Sequence, residues 1–562
     1  MDLNQKELEE RSDYLDIEQV VDWFVTGDYF ESIQKKLIGT GAKLLVGPRG
    51  TGKTHQMLIT HYNCIKNREK PISLYVSFNR YYHLEPLMSR ASNAIKIFNT
   101  WVLSKIILSI YDFSERTSTD ISLLLSDPCL TKKNLELFIG QAEKGNFRFD
   151  DETILEILNV SYVKILIEEL IVLSDRKRAI LLLDDAALTL TPDYLVEFFE
   201  IFISLKSSSI SPKASVYPGT TEYGTKFHLG HDAEKVECWI NVTDDMKSYS
   251  KFMDELIQKR LSSIIGEIDS EIIEILKYAS FGIPRAFIFL IRSYLQSNKV
   301  TRQSKFNEVI DQHSELIKIE YLSLKKKIPQ FSNIIEVGFT FFETIVEELT
   351  KLNKELIDSR NLIVGVETHS NRMVERMTQF LNEAGLLYKY SSSVSHGENR
   401  EYMRYTPHII FLLKAKAFNS SRGFDTKKIL QKLLSAEKKQ PLRRKFETLL
   451  KEADIDNLKL NLPPCSNCSA IRIEENQRFC HKCGFELVNP SAYESCMNLD
   501  VSEIPFTRFQ AEAVNQANFR KIRDFYYVQN PVSELRKVKQ IGGKRSQDIL
   551  KRVVDVVDEF LA

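Results

Sequence analysis

Residues 43–58 read KLLVGPRGTGKTHQML. Three apolar residues, Leu44 to Val46, run into Gly47-Pro48-Arg49-Gly50-Thr51-Gly52-Lys53-Thr54, and helix-compatible sequence follows. The pattern is G-x-x-x-x-G-K-[ST] between a strand and a helix, the context in which it holds phosphate. Gly47, Gly50 and Gly52 let successive backbone N–H groups, that of Thr51 among them, turn inward around phosphate oxygens. The positive end of the next helix adds to them. Lys53 would reach the β- and γ-phosphates, and the Thr54 hydroxyl would ligate Mg²⁺. The plain alternative is a glycine-rich turn.

Such a loop needs a carboxylate strand. Residues 177–188, KRAILLLDDAAL, supply one: Ala179 to Leu183 form a continuous apolar run of the buried parallel type, ending in Asp184 and Asp185. Asp184 would hold the Mg²⁺ shell, and Asp185 stands where a water-orienting carboxylate is wanted. Taken alone, a buried strand with a polar end fits equally well. Residues 212–224, PKASVYPGTTEYG, read as another short strand ending at Thr220 and Thr221. In residues 278–291, YASFGIPRAFIFLI, Arg285 follows Gly-x-Pro at the start of an apolar helix.

Together these motifs resemble AAA+ ATPases, most closely the origin-recognition-complex-like and STAND branches, over roughly residues 15–300. The resemblance implies a P-loop parallel-sheet core with a helical lid, binding ATP and Mg²⁺. It further implies that Thr220 or Thr221 senses the γ-phosphate and that Arg285 on the lid reads the nucleotide state. Two departures count against a fast motor. Many AAA+ hydrolases carry Glu where this chain has Asp185, which points to slow hydrolysis of ATP to ADP and phosphate. Near the end of the 192–207 helix only Lys206 and Lys213 offer charge, so no arginine finger is expected.

A chain of 562 residues is too long for one core, so three or more domains are expected. Lys+Arg and Asp+Glu balance at 76 each, so any nucleic-acid signal must be local. The start shows no signal peptide, and no apolar run is long enough to predict a membrane span. Eight cysteines, four of them in one cluster, fit a reducing cytoplasm with one metal site rather than a disulfide framework. The expected division is an ATPase core at 1–228 with a helical insertion at about 85–175, a helical lid at 229–300 and a winged helix at 301–420. A basic helical linker at 421–462, a zinc ribbon at 463–490 and a helix-hairpin-helix at 491–562 would follow.

The winged-helix expectation rests on residues 371–415. Met373, Met377, Phe380 and Leu381 share one helix face ending at Gly385, and two strand-like runs follow. The outward face mixes Arg372 and Arg376 with Glu375 and Glu383, leaving DNA contact and partner packing both open. In residues 463–487, Cys465-x-x-Cys468 and Cys480-x-x-Cys483 can close a tetrahedron around Zn²⁺, a structural site with no open position. AIRI and RFC read as its strands. Zinc ribbons contact nucleic acid or protein with similar ease.

In residues 533–561, SELRKVKQIGGKRSQDILKRVVDVVDEFL, the pattern around Ile541-Gly542-Gly543-Lys544-Arg545 resembles the helix-hairpin-helix module. The glycine N–H groups and the second helix's N-terminus would form an anion nest, with Lys544 and Arg545 adding charge, to grip a DNA backbone without reading sequence. A plain αα-hairpin is the alternative. The assembled expectation is an ATP-dependent switch controlling DNA engagement in replication, repair or defence. Its rival is a STAND-like signalling ATPase whose C-terminal modules bind a protein partner or trigger. Oligomeric state is not legible.

Overall fold

The computed structural model describes residues 17–561 other than 24, 26, 79–83, 85–86, 88–92, 144–152, 187–191, 219–226, 244–245, 396–399, 420–423, 474–476, 478, 488–491 and 529. The N-terminal half is built on five strands: β1 (Lys43–Val46), β2 (Ile72–Ser77), β3 (Ala179–Asp184), β4 (Ile210–Val216) and β5 (Glu234–Glu237). Their order is β2-β3-β4-β1-β5 and every pairing is parallel. All residues of β3 and β4 are buried, as expected of strands covered on both faces. Alternation still sorts the side chains. Leu44, Leu181 and Leu183 join a core on one face, and Leu45, Ile180 and Leu182 a core on the other.

The first core is capped by helices Ala94–Thr117 and Pro192–Ser204, where Phe98 stacks on Tyr194 with centroids 4.3 Å apart. Helices Lys132–Glu143, Thr153–Ile157 and Val160–Leu173 also lie between β2 and β3. Against the expectation from sequence, helix Ala94–Thr117 is long and apolar enough to cross a membrane by length and composition. Yet 67% of that window is buried within the protein, where Trp101 and Phe113 are core residues.

The second core runs without a break from the sheet into the helices that follow. It takes in Phe287 and Leu290 of helix Pro284–Gln296, Val309 of helix Arg302–Lys327 and Phe341 of helix Ser332–Glu355. It also takes in a second sheet, whose path is β12-β7-β10-β8 with β9 on β10. Its strands are β7 (Val364–Glu367), β8 (Leu387–Lys389), β9 (Val394–Ser395), β10 (Glu401–Pro407) and β12 (Leu442–Arg444). Helix Arg372–Glu383 lies between β7 and β8, and β10 returns antiparallel to both. Residues 396–399 at the hairpin tip lie outside the described residues.

The expected helical linker at 421–462 is corrected. After helix Thr426–Leu434 the chain forms β11 (Ala436–Glu437), parallel to β6 (Ser359–Arg360), and then β12, parallel to β7. Phe446, Leu449 and Leu458 are buried in the second core, so this segment completes the middle module rather than leading away from it. The C-terminal module begins at helix Ala492–Met497, which packs on helix Arg302–Lys327. Lys326 pairs with Glu503 at 2.7 Å, and Lys327 lies over the Phe560 ring.

Candidate nucleotide site, cysteine cluster and C-terminal hairpin

Because the first sheet is all parallel, its strands deliver their C-terminal residues to one edge. β1 ends at Val46 and passes into the glycine loop; helix Lys53–Lys66 starts at Lys53. Gly50 and Gly52 take φ of +87° and +92°, the left-handed region that glycine enters without penalty. Gly50 is also crowded, since a Cβ there would meet Arg285 Cβ at 2.9 Å and Ile283 Cγ2 at 3.0 Å. Gly47 has no room either, with Thr51 Oγ1 at 2.6 Å and the Cys238 carbonyl at 2.7 Å from such a Cβ.

Lys53 donates to the carbonyls of Gly47 (2.6 Å) and Pro48 (3.1 Å) and lies 4.9 Å from the Tyr217 ring centroid. Burial pushes its ammonium down to about 8, against the pull of Asp184 and Asp185. Thr51 is buried and donates to the Pro48 carbonyl, while Thr54 lies in the first turn of the helix.

Asp184 is 1% exposed and held from two sides. Ser215 Oγ donates to its Oδ1 at 2.7 Å, and the Tyr75 hydroxyl donates to its Oδ2 at 3.0 Å. Asp185 is exposed and takes φ +53°; its N–H donates to Ser215 Oγ, and Ser77 Oγ lies 3.3 Å from its Oδ2. Ser215 therefore ties both acids to β4. Its role depends on β4 lying between β3 and β1, and pairing order is not written in any single strand. Arg285 comes from the first turn of helix Pro284–Gln296: its N–H bonds to the Gly50 carbonyl at 3.4 Å, and its side chain lies along the loop. Lys53, Asp184, Asp185 and Arg285 are thus brought together, while Thr220 and Thr221 lie outside the described residues.

Lys206 and Lys213 both spend their charge internally. Lys206 donates to the Asp232 carbonyl at 2.9 Å, and fully buried Lys213 donates to the carbonyls of Gly39 and Gly41. The donor set around the loop suits a nucleotide with a divalent cation: a lysine and backbone amides for phosphate, and Thr54 with Asp184 for Mg²⁺.

The four sulfurs of Cys465, Cys468, Cys480 and Cys483 lie within 4.8 Å of one another. Two cross-pairs, Cys465–Cys483 and Cys468–Cys480, are each 3.5 Å apart. With Zn–S near 2.3 Å, a tetrahedral site needs sulfur separations of roughly 3.8 Å, so the cluster is compatible with Zn²⁺. The two halves repeat one backbone design. Cys465 N–H bonds to Ala470 O and Ser469 N–H to Cys465 O; Cys480 N–H bonds to Phe485 O and Gly484 N–H to Cys480 O. Ser469 and Gly484, both at positive φ, close the two turns. The Cys483 and Lys482 N–H groups draw the Cys480 thiol below its ordinary range. The expected strands do not form at 471–473, and the bridge Phe479–Glu486 is the described pairing. His481 is exposed beside Gln477 and outside the sulfur cluster.

At the C-terminal hairpin, Leu535, Ile541, Ile549, Val553 and Val557 are buried, with Val538, Val556 and Phe560 packed at the edge. Helix Gly543–Leu561 begins on the second glycine. The left-handed turn residue is Gln540 (φ +72°), not Gly542 or Gly543, and a Cβ on either glycine would meet nothing within 4 Å. Arg545 donates to the Gln540 carbonyl at 2.9 Å and lies over the Phe509 ring, while Lys544 is exposed. In the middle module, Arg376 is packed over the rings of Phe331 and Phe380 rather than presented outward.

Residues 9–138 match a family model described as ORC-CDC6-like. The match covers the phosphate loop, β1, β2 and helix Ala94–Thr117, so the nucleotide-binding part of the chain is similar to that family. No curated protein matches the chain by sequence. Among solved structures, a Walker-type ATPase of Pyrococcus abyssi is 11% identical over 73% of this chain and 98% of its own, with a TM-score of 0.38. The Aeropyrum pernix ORC1 protein in complex with DNA is 12% identical over 71% of this chain and 95% of its own, with a TM-score of 0.31. Cdc6p from Pyrobaculum aerophilum is 11% identical over 72% and 98%, with a TM-score of 0.29.

Proposed function

We propose that the chain is an ATP-binding switch of the origin-recognition-like AAA+ type. Its nucleotide state governs DNA engagement by a C-terminal arm holding a zinc ribbon and a helix-hairpin-helix. The reading rests chiefly on the convergence of Lys53, Asp184, Asp185 and Arg285 on one sheet edge, with Arg285 supplied by the lid. Asp185 in place of Glu and the internal commitment of Lys206 and Lys213 favour a slow switch over a motor. For the arm, two glycines serve a turn that demands neither, beside an exposed lysine; that favours close approach by an outside group such as a DNA phosphate. Between residues 508 and 552, eleven Lys and Arg stand against four Asp and Glu.

The rival reading, capture of a protein partner, is favoured by the apolar side chains that the cysteine module leaves exposed: Ile471, Ile473, Phe479 and Phe485. One pair of measurements decides. Lys53→Ala is expected to abolish ATP binding with the melting temperature unchanged. Duplex DNA affinity is expected to fall steeply with salt, and Lys544→Ala to flatten the log–log slope by about 0.9. DNA affinity that is negligible at low salt would leave the protein-partner reading standing.

A further inference from the structure

The cationic run at 438–445, expected to be part of a linker, lies instead on the edge of the second sheet. It holds Lys438, Lys439, Arg443, Arg444 and Lys445 and no acid. β12, the last strand of the sheet's path, sorts the two arginines by face. Arg444 stands in register with Val366, a residue of the second core, and its guanidinium pairs with Glu348 of helix Ser332–Glu355 at 2.6 Å. Arg443 stands in register with Gly365 and so belongs to the opposite face.

On that face Gly365 is also in register with Arg404 of β10, so one glycine separates two arginines across three strands. With no side chain at 365, Arg443 reaches across β7 and lies 5.9 Å from the Tyr402 ring centroid. Arg404 lies 4.9 Å from the Tyr390 ring centroid and donates to Ser392 Oγ at 2.8 Å. A ring holds a guanidinium in place without neutralising it, and leaves its N–H edge for an outside acceptor. Lys438, Lys439 and Lys445 are exposed. Neither these lysines nor Arg443 and Arg404 form an ion pair among the described residues. Against these five cations the face sets Glu367, in register with Tyr402.

We propose that this face of the middle module is a second contact for nucleic acid, gripping the phosphate backbone of a duplex. Cations held close together without counter-charge repel one another, and a polyanion relieves that repulsion while releasing its own counterions. Lysines on an edge strand also deter edge-to-edge pairing, but Arg443 and Arg404 stand on the face rather than along the edge. A single strand would need open ring faces to stack its bases, and here Tyr402 and Tyr390 are both buried under guanidinium groups. For its ligand this contact rests on the DNA reading above; its site is separate from the C-terminal hairpin.

The test titrates the full chain with a short mixed-sequence duplex across a salt series. The exposed double variant Lys438→Ala/Lys439→Ala is expected to flatten the log–log slope by about 1.8, and adding Arg443→Ala by about 0.9 more. The double variant should keep the wild-type melting temperature and ATP affinity. Lys35→Ala, an exposed cation of the ATPase core, should leave the slope unchanged. A slope that is unmoved in the double variant but reduced by Lys544→Ala would overturn this face and leave the C-terminal arm standing. The reverse pattern would remove the arm and keep the face. A larger loss for single-stranded than for duplex DNA in the double variant would overturn the duplex assignment. Duplex binding too weak to titrate at low salt would overturn face and arm together.

Discussion

Ser215 is the residue on which the two acids depend. Its hydroxyl donates to Asp184 and accepts from the Asp185 N–H, so one small side chain fixes both the buried acid and the exposed one. Ser215→Ala is expected to cost about 1–2 kcal/mol of stability, since it removes a charge-assisted bond in a buried site. It should also raise the Mg²⁺ concentration needed for half-maximal ATP binding, read from a thermal melt across a Mg²⁺ series. Asp185 itself carries a second constraint. At φ +53° the backbone favours Asp or Asn over longer side chains, so the departure from Glu noticed in the sequence has a conformational reason in this chain. Lys53, Asp184, Asp185 and Arg285 were legible because each belongs to a motif with fixed spacing. Ser215 was not, because serine in a strand carries no signal until its neighbours across the sheet are known.

At the scale of elements, β3 could be read from its unbroken apolar run, and the helix after the phosphate loop from its position. β11 and β12 could not: they are two and three residues long and lie in cationic sequence that pairs only because β6 and β7 are waiting. A feature hidden in the same way is the histidine pair joining helix Arg302–Lys327 to helix Ile409–Lys414. His313 and His408 are buried with centroids 6.3 Å apart, and both nitrogens of His313 and Nε2 of His408 have no hydrogen-bond partner. His313 packs on Phe289, and His408 on Phe281 and Phe411. Burial lowers His313 to about 4 and His408 well below its ordinary value, with His313 contributing to the latter. Both imidazoles are then neutral in the fold and take up protons first when it opens. The unfolded chain binds more protons below about pH 6.5, so stability falls as pH drops from there towards 4, by about 1.4 kcal/mol per pH unit for each histidine. Urea unfolding between pH 7 and 5 checks this, and His313→Gln should roughly halve the slope.

Over the whole molecule, the domain divisions expected from sequence are less separate than composition suggests. The second face of the sheet, helix Pro284–Gln296 and the middle module share one buried core, so a shift at the phosphate loop has a packed path to β10. If nucleotide and DNA act through that path, their effects must be reciprocal. Whatever factor by which ATP tightens DNA binding, DNA must tighten ATP binding by the same factor. Arg285→Ala is expected to bring that factor close to one while leaving DNA affinity in the absence of ATP unchanged, measured by paired titrations in both orders. The balanced total of 76 cations and 76 anions concealed this organisation, because it sums modules of unlike charge.

The N-terminal half of helix Arg302–Lys327 touches helix Pro284–Gln296, through Lys305 on Tyr294 and His313 on Phe289, and its C-terminal end meets the C-terminal module through Lys326 and Lys327. Twenty-six residues at 1.5 Å of rise make a rod about 39 Å long. Pivoted at the lid, a tilt of about five degrees would sweep the far end through roughly 3 Å, the scale of a hydrogen bond made or lost. Because the same helix is packed along its length on helices Ser332–Glu355 and Ile409–Lys414, any such tilt has to carry the second core with it.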